Sequence, residues 1–130
     1  MSRIDEISSA VVGEAIRIHR ELGPGLFENV YEAVLAKRLE QAGFKAERQV
    51  AVPLTIDGEH FDIAFRIDIL VDDCLVIEIK AVEGLGKSHA KQLLTYLRLM
   101  KQPVGLLLNF NGETMKEGIR RMVNDYRPEV

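Results

Sequence analysis

The stretch Arg66-Ile-Asp-Ile-Leu-Val-Asp-Asp-Cys-Leu-Val-Ile-Glu-Ile-Lys80 constrains this chain more than any other. It reads as two apolar strands joined by a tight acidic turn, and it sets Asp68, Glu78 and Lys80 among residues that demand burial. Side chains alternate along a strand, so Glu78 and Lys80 share a face with Cys74 and Val76, while Leu75, Ile77 and Ile79 take the other. On the preceding strand Asp68 shares its face with Arg66 and Leu70. Antiparallel pairing through Asp72-Asp73 brings Asp68 and Glu78 together at one end of the sheet. A buried carboxylate is costly unless it is paired or bound to a metal. The trio is therefore either a structural ion network or a cation site.

The 130 residues, 47% of them hydrophobic and 28% charged, fit a single domain spanning 1–130. Cys74 is the only cysteine, which excludes an intrachain disulfide and a cysteine-based zinc site. No apolar run reaches the length of a membrane span, and the start, Met-Ser-Arg-Ile-Asp-Glu, lacks the layout of a signal peptide, so a cytoplasmic protein is expected. A net charge of -3 argues against a protein that coats nucleic acid. Locally, however, Lys80, Lys87, Lys91, Arg98 and Lys101 stand against Glu83 alone, as either a solvated helix face or a phosphate-facing patch.

In chain order, Ile4, Ile7, Val11, Ala15, Ile18 and Leu22 predict a helix over about 5–22, with His19 near its apolar stripe. A histidine there is more often a hydrogen-bonded core residue than a ligand. Gly23-Pro24-Gly25 stops this helix. A second helix over about 26–42 has Phe27, Val30, Tyr31, Val34, Leu35, Leu39 and Ala42 as its apolar arc. Glu28 falls inside that arc, where it needs a cation, water or a basic partner such as Arg38. Strands are expected at about 45–56, 59–71 and 74–80, with a hairpin turn at Asp57-Gly58 and an edge or irregularity at Pro53. A third helix over about 87–100 turns Ala90, Leu93, Leu94, Leu97 and Met100 inward and carries His89, Gln92 and Tyr96 as a polar stripe. A strand over about 104–110 and a last helix over about 114–125 complete the pattern. The order implies an α/β domain with a mixed central sheet flanked by helices.

Asp68 followed by Glu78-Ile-Lys80 on adjacent strands resembles the PD-(D/E)XK nuclease superfamily, with its restriction-endonuclease-like αβββαβ core. Gly25-Leu-Phe-Glu28-Asn-Val-Tyr31 is similar to the G-x-x-E-x-x-Y signature of a bacterial branch, and Gln92-x-x-x-Tyr96 to the motif of the RecB-like group. The likeness runs from about Ile4 to Val123. Ile67 stands where the superfamily's name has proline.

The resemblance implies Mg²⁺- or Mn²⁺-dependent hydrolysis of DNA or RNA, with Glu28, Asp68, Glu78, Lys80, Gln92 and Tyr96 as the site. Asp68, Glu78 and the backbone carbonyl of Ile79 suit Mg²⁺, which takes oxygen ligands and keeps several waters. Lys80 would orient the attacking water and stabilise charge on the phosphate. Glu28 would hold a water of the ion's shell or a second ion, and Gln92 and Tyr96 would position Lys80 or the nucleic-acid backbone. Lys87, His89, Lys91 and Arg98 are the candidate nucleic-acid contacts, with His19 and Arg66 as further candidates. Folds outlive their chemistry, so a non-catalytic module binding nucleic acid or a protein stands as the alternative. With no obvious element for reading bases, specificity would come from a homo-oligomer or a partner.

Overall fold

The computed structural model describes residues 2–124. Its elements are α1 (Arg3–Leu22), α2 (Glu28–Gln41), β1 (Ala46–Ile56), β2 (Glu59–Val71), β3 (Leu75–Lys80), α3 (Lys87–Met100), β4 (Val104–Asn109), a 3-10 turn (Lys116–Gly118) and β5 (Ile119–Val123). The strands form one mixed sheet in the order β1-β2-β3-β4-β5, in which β3 and β4 run parallel and the other neighbours are antiparallel. Only the parallel pair needs a long crossover, and α3 supplies it. Helices cover both faces. Ile7, Val11, Ile18, Leu35 and Leu39 of α1 and α2 pack on Ile69, Val71, Ile77 and Leu108. On the other face Leu93 and Leu97 of α3 pack on Ile67, Leu70, Val76 and Leu107. Among the described residues no helix is long and apolar enough to cross a membrane.

The turns follow the chemistry of their residues. Asp72 and Asp73 have φ of 48° and 56°, and Asp57 and Gly58 have 49° and 79°. Two successive left-handed residues make the tight hairpin turn that matches strand twist. Asp72 is fixed further by accepting from Lys45 N at 2.8 Å and by pairing with Arg3. Pro53 coincides with a register shift between Val52 and Leu54 on the edge strand β1.

The expected helix over 114–125 is a correction: the chain there forms the 3-10 turn and then β5, which pairs with β4 from Ile119↔Leu108 to Val123↔Val104. Ile119 packs toward α1 and Met122 toward α3. Those apolar residues serve two faces of a strand, and their spacing imitates a helix. The unpaired edge of β4 is satisfied by the ladder instead. Asp125, the end of the expected helix, lies outside the described residues. Cys74 likewise sits in the turn before β3, packed toward α1 and α2.

Candidate metal and phosphate site

The β2–β3 ladder pairs Val71↔Leu75, Leu70↔Val76 and Ile69↔Ile77, and there it stops. The next residues on each strand are Asp68 and Glu78, and their side chains take over from the backbone. Asp68 Oδ2 accepts from Ile79 N at 2.7 Å, and Glu78 Oε1 accepts from Asp68 N at 3.3 Å. Each carboxylate thus satisfies an amide that the parting strands leave open. Phe110 N donates to Lys80 O at 2.9 Å, so Lys80 turns its backbone polar groups toward β4. Strand residues alternate in this respect, and Ile79 therefore aims its carbonyl, with its N–H, into the gap beside Asp68.

The gap also marks a change of face along β2. Phe65 and Ile67 pack with α3, whereas Ile69 and Val71 pack with α1 and α2. Simple alternation would keep all four together, so the strand's facing slips at Asp68. Across from it on β1, Gln49 has a left-handed φ of 50°. Arg66, expected on the same face as Asp68, is exposed, whereas Asp68 is half-buried.

Glu78 is 5% exposed and its carboxyl is pushed up to about 8, first by burial and then by the charge of Asp68, against the opposing pull of the Asp68 N–H and Lys80. Lys80 is half-buried and makes no ion pair or hydrogen bond through its ammonium among the described residues. Tyr96 stacks on Phe65 with ring centroids 4.1 Å apart. Its phenol is raised by burial and then by the charges of Glu78 and Asp68. Gln92, one turn earlier on the same side of α3, is exposed at the rim.

Glu28 is not where the helix arc put it. The helix α2 begins at Glu28, Phe27 is 82% exposed, and Glu28 itself is exposed. The buried stripe runs through Tyr31, Glu32, Leu35, Ala36 and Leu39, so the acid carried inward is Glu32, at 4% exposure. Its Oε2 accepts from Arg48 Nε at 2.9 Å and its Oε1 from Gln49 Nε2 at 2.7 Å. The same Nε2 donates to Asp68 Oδ1 at 3.1 Å. Glu28 lies one turn ahead of Glu32 on the same side of the helix. Among the described residues no group of three or more acidic, histidine or cysteine side chains is placed to hold a metal ion.

The remaining candidates have other surroundings. His19 is buried, and its Nε2 lies 2.9 Å from the Gly112 carbonyl, as expected of a core histidine. His89 Nδ1 accepts from Gly86 N at 2.9 Å, capping the start of α3. Lys87, Lys91 and Arg98 are exposed on α3 and pair with no acid among the described residues. Glu32, Arg48 and Gln49 were not among the sequence-predicted site residues.

Two buried-edge carboxylates, a carbonyl aimed at the same gap and a half-buried ammonium fit an oxygen-seeking divalent cation that retains water. Burial and then the charge of Asp68 push Glu78 up, and such an ion would offset both. Searches of curated proteins and of solved structures return no match. A family model described as the PD-(D/E)XK nuclease superfamily matches residues 5–122, a span that takes in every strand and helix bearing the site. On that match the chain belongs to the PD-(D/E)XK nuclease superfamily.

Proposed function

We propose that this chain is a Mg²⁺- or Mn²⁺-dependent nuclease that hydrolyses phosphodiester bonds of DNA or RNA. The observation that carries the reading is the exchange of carboxylate-to-backbone bonds between Asp68 and Glu78 where β2 and β3 part, with Lys80 two residues on along the same strand and without an ion pair among the described residues. Asp68, Glu78 and the Ile79 carbonyl would hold the cation, which when bound supplies positive charge to the phosphate and acidifies water. Lys80 orients the attacking water and stabilises the charge that grows on the phosphate oxygens. Tyr96, held flat against Phe65, and Gln92 at the rim position the nucleic-acid backbone. Lys87, Lys91 and Arg98, which pair with no acid among the described residues, extend that contact along α3 by phosphate recognition. Glu28, at the exposed start of α2, acts through water.

Membership of the G-x-x-E-x-x-Y branch is part of the same reading and has local support. Gly25 has φ of 104°, a conformation that side chains disfavour. Tyr31 Oη donates to Gly23 O at 2.6 Å and accepts from Leu26 N at 3.1 Å, so it pins the loop that presents Glu28. Digestion of plasmid and of single-stranded oligonucleotides with Mg²⁺ or Mn²⁺ tests the function. Cleavage lost in Lys80→Ala and Asp68→Asn is the expected result. Cleavage that survives both substitutions removes these residues from the mechanism. Nucleic-acid binding with no cleavage under any metal would favour a non-catalytic module.

A further inference from the structure

We propose that Glu32 and Gln49 are positioning residues for Asp68, fixing the plane of its carboxylate so that each oxygen keeps a lone pair for a cation. The inference rests on the reading of Asp68 and Glu78 as cation ligands. Gln49 Nε2 has two hydrogens and spends both, one on Glu32 Oε1 at 2.7 Å and one on Asp68 Oδ1 at 3.1 Å. The amide cannot be turned over, because its oxygen would then face two carboxylates. Asp68 Oδ2 is fixed separately by Ile79 N at 2.7 Å, so both oxygens of one carboxylate are held from different strands.

The support is built in depth. Glu32 is 4% exposed and its charge is balanced by Arg48 Nε at 2.9 Å, which leaves Glu32 as an anchor and not as a free ligand. Gln49 has φ of 50°, a conformation that glutamine adopts where its surroundings hold it. That twist falls opposite the slip in β2, and it lets the amide reach between α2 and β2. A helix acid, a strand amide and a strand acid are thereby locked in one line. Groups that orient a metal ligand in this way alter metal affinity without touching the metal.

Gln49 is exposed, so Gln49→Met keeps the length of the side chain and removes both donors without disturbing the core. Glu32→Gln keeps the volume but sets one donor against another whichever way its amide turns. Mn²⁺ titration by calorimetry, at a temperature where circular dichroism finds each variant folded, is expected to show affinity weakened about 10- to 100-fold in Gln49→Met. Cleavage lost at low Mn²⁺ is expected to return as Mn²⁺ is raised, which a purely structural defect would not do. Mn²⁺ binding by the unmodified chain that stays within about twofold in Gln49→Met overturns this inference alone. No Mn²⁺ binding by the unmodified chain overturns the cation-site reading and this inference with it.

Discussion

Asp68 and Glu78 each bond the other's strand: the Asp68 carboxylate accepts from Ile79 N at 2.7 Å, and the Glu78 carboxylate accepts from Asp68 N at 3.3 Å. The groups proposed to bind the ion are thus also the last rungs of the β2–β3 ladder. Protonation and stability are linked through this pair, and so is the proposed cation binding.

The sign of that linkage is set by Glu78. Its carboxyl titrates at about 8 in the fold against 4.5 ordinarily, because burial and then Asp68 disfavour its charge. Between those values the folded chain holds a proton that the unfolded chain has released. The contribution is fully present below about pH 4.5 and is lost as pH rises through about 8. The loss is on the order of a few kcal/mol. Urea denaturation without divalent metal, from pH 5 to 8.5, should show a decline that Glu78→Gln flattens. A divalent cation held by Glu78 would compete with that proton, so Mg²⁺ affinity should climb over the same interval.

Lys80→Ala removes an ammonium that makes no hydrogen bond or ion pair among the described residues and reaches Glu78 only through its charge. It should lower cleavage by about a hundred- to a thousandfold while leaving the melting temperature and Mn²⁺ affinity nearly unchanged. Single-turnover cleavage and calorimetry on the same preparation check both halves of that statement.

Replacing Lys87, Lys91 and Arg98 together by Gln should weaken nucleic-acid binding alike for all sequences. The slope of log K against log salt should fall by about 0.9 for each phosphate no longer neutralised on duplex DNA, and by about 0.7 on single strands. Fluorescence anisotropy across a salt series, with metal chelated, measures it. An unchanged slope would assign these side chains to solvent.

Tyr31→Phe strips one hydroxyl from a fully buried ring stacked on Phe110 at 4.5 Å. Gly23 O and Leu26 N lose their partner. Stability should drop by about 1–3 kcal/mol in urea denaturation.

Gly118→Ala should be costly although the site is far from any strained angle. A Cβ there would lie 2.1 Å from the Asn109 carbonyl oxygen. Asn109 is 4% exposed and its side chain brackets Val82, accepting from its N–H at 3.0 Å and donating to its carbonyl at 2.9 Å. That bracket holds the chain just beyond Lys80. Overpacking of this kind costs about 1–3 kcal/mol, and thermal denaturation should register it.

Much of the layout was legible because it rests on local chemistry. The turns at Asp57-Gly58 and Asp72-Asp73, the stripes of α1 and α3, and the meeting of Asp68 with Glu78 all follow from period and turn type. What failed was decided by tertiary contact. Met115, Ile119 and Met122 have helix-like spacing, yet an open edge on β4 drew the last two into a strand. Tyr31, Leu35 and Leu39 set the buried side of α2 correctly, but including Phe27 and Val30 rotated the arc toward Glu28. Ala36, a small residue one turn after Glu32, was the available sign that Glu32 lies on the inner stripe. Nothing in the sequence announces the left-handed backbone of Gln49, since glutamine has no preference for it. The slip of β2 at Asp68 is hidden for a similar reason: an unbroken alternation of Phe65, Ile67, Ile69 and Val71 conceals a strand that serves two cores.

The early end of the β2–β3 ladder also divides the molecule by how readily it opens. Val71, Leu70 and Ile69 are paired on both edges, to β1 and to β3, whereas β2 from Glu59 to Ile67 is paired to β1 alone. A two-stranded ribbon is marginal in water, and here Ile56, Phe61 and Ile63 near its tip are about half exposed, at 50%, 50% and 49%. Amide hydrogen exchange should therefore be slow through the root and fast through the arm. Asp68 sits on that border, so the arm can breathe while the residues that would hold the ion stay fastened to the slow half.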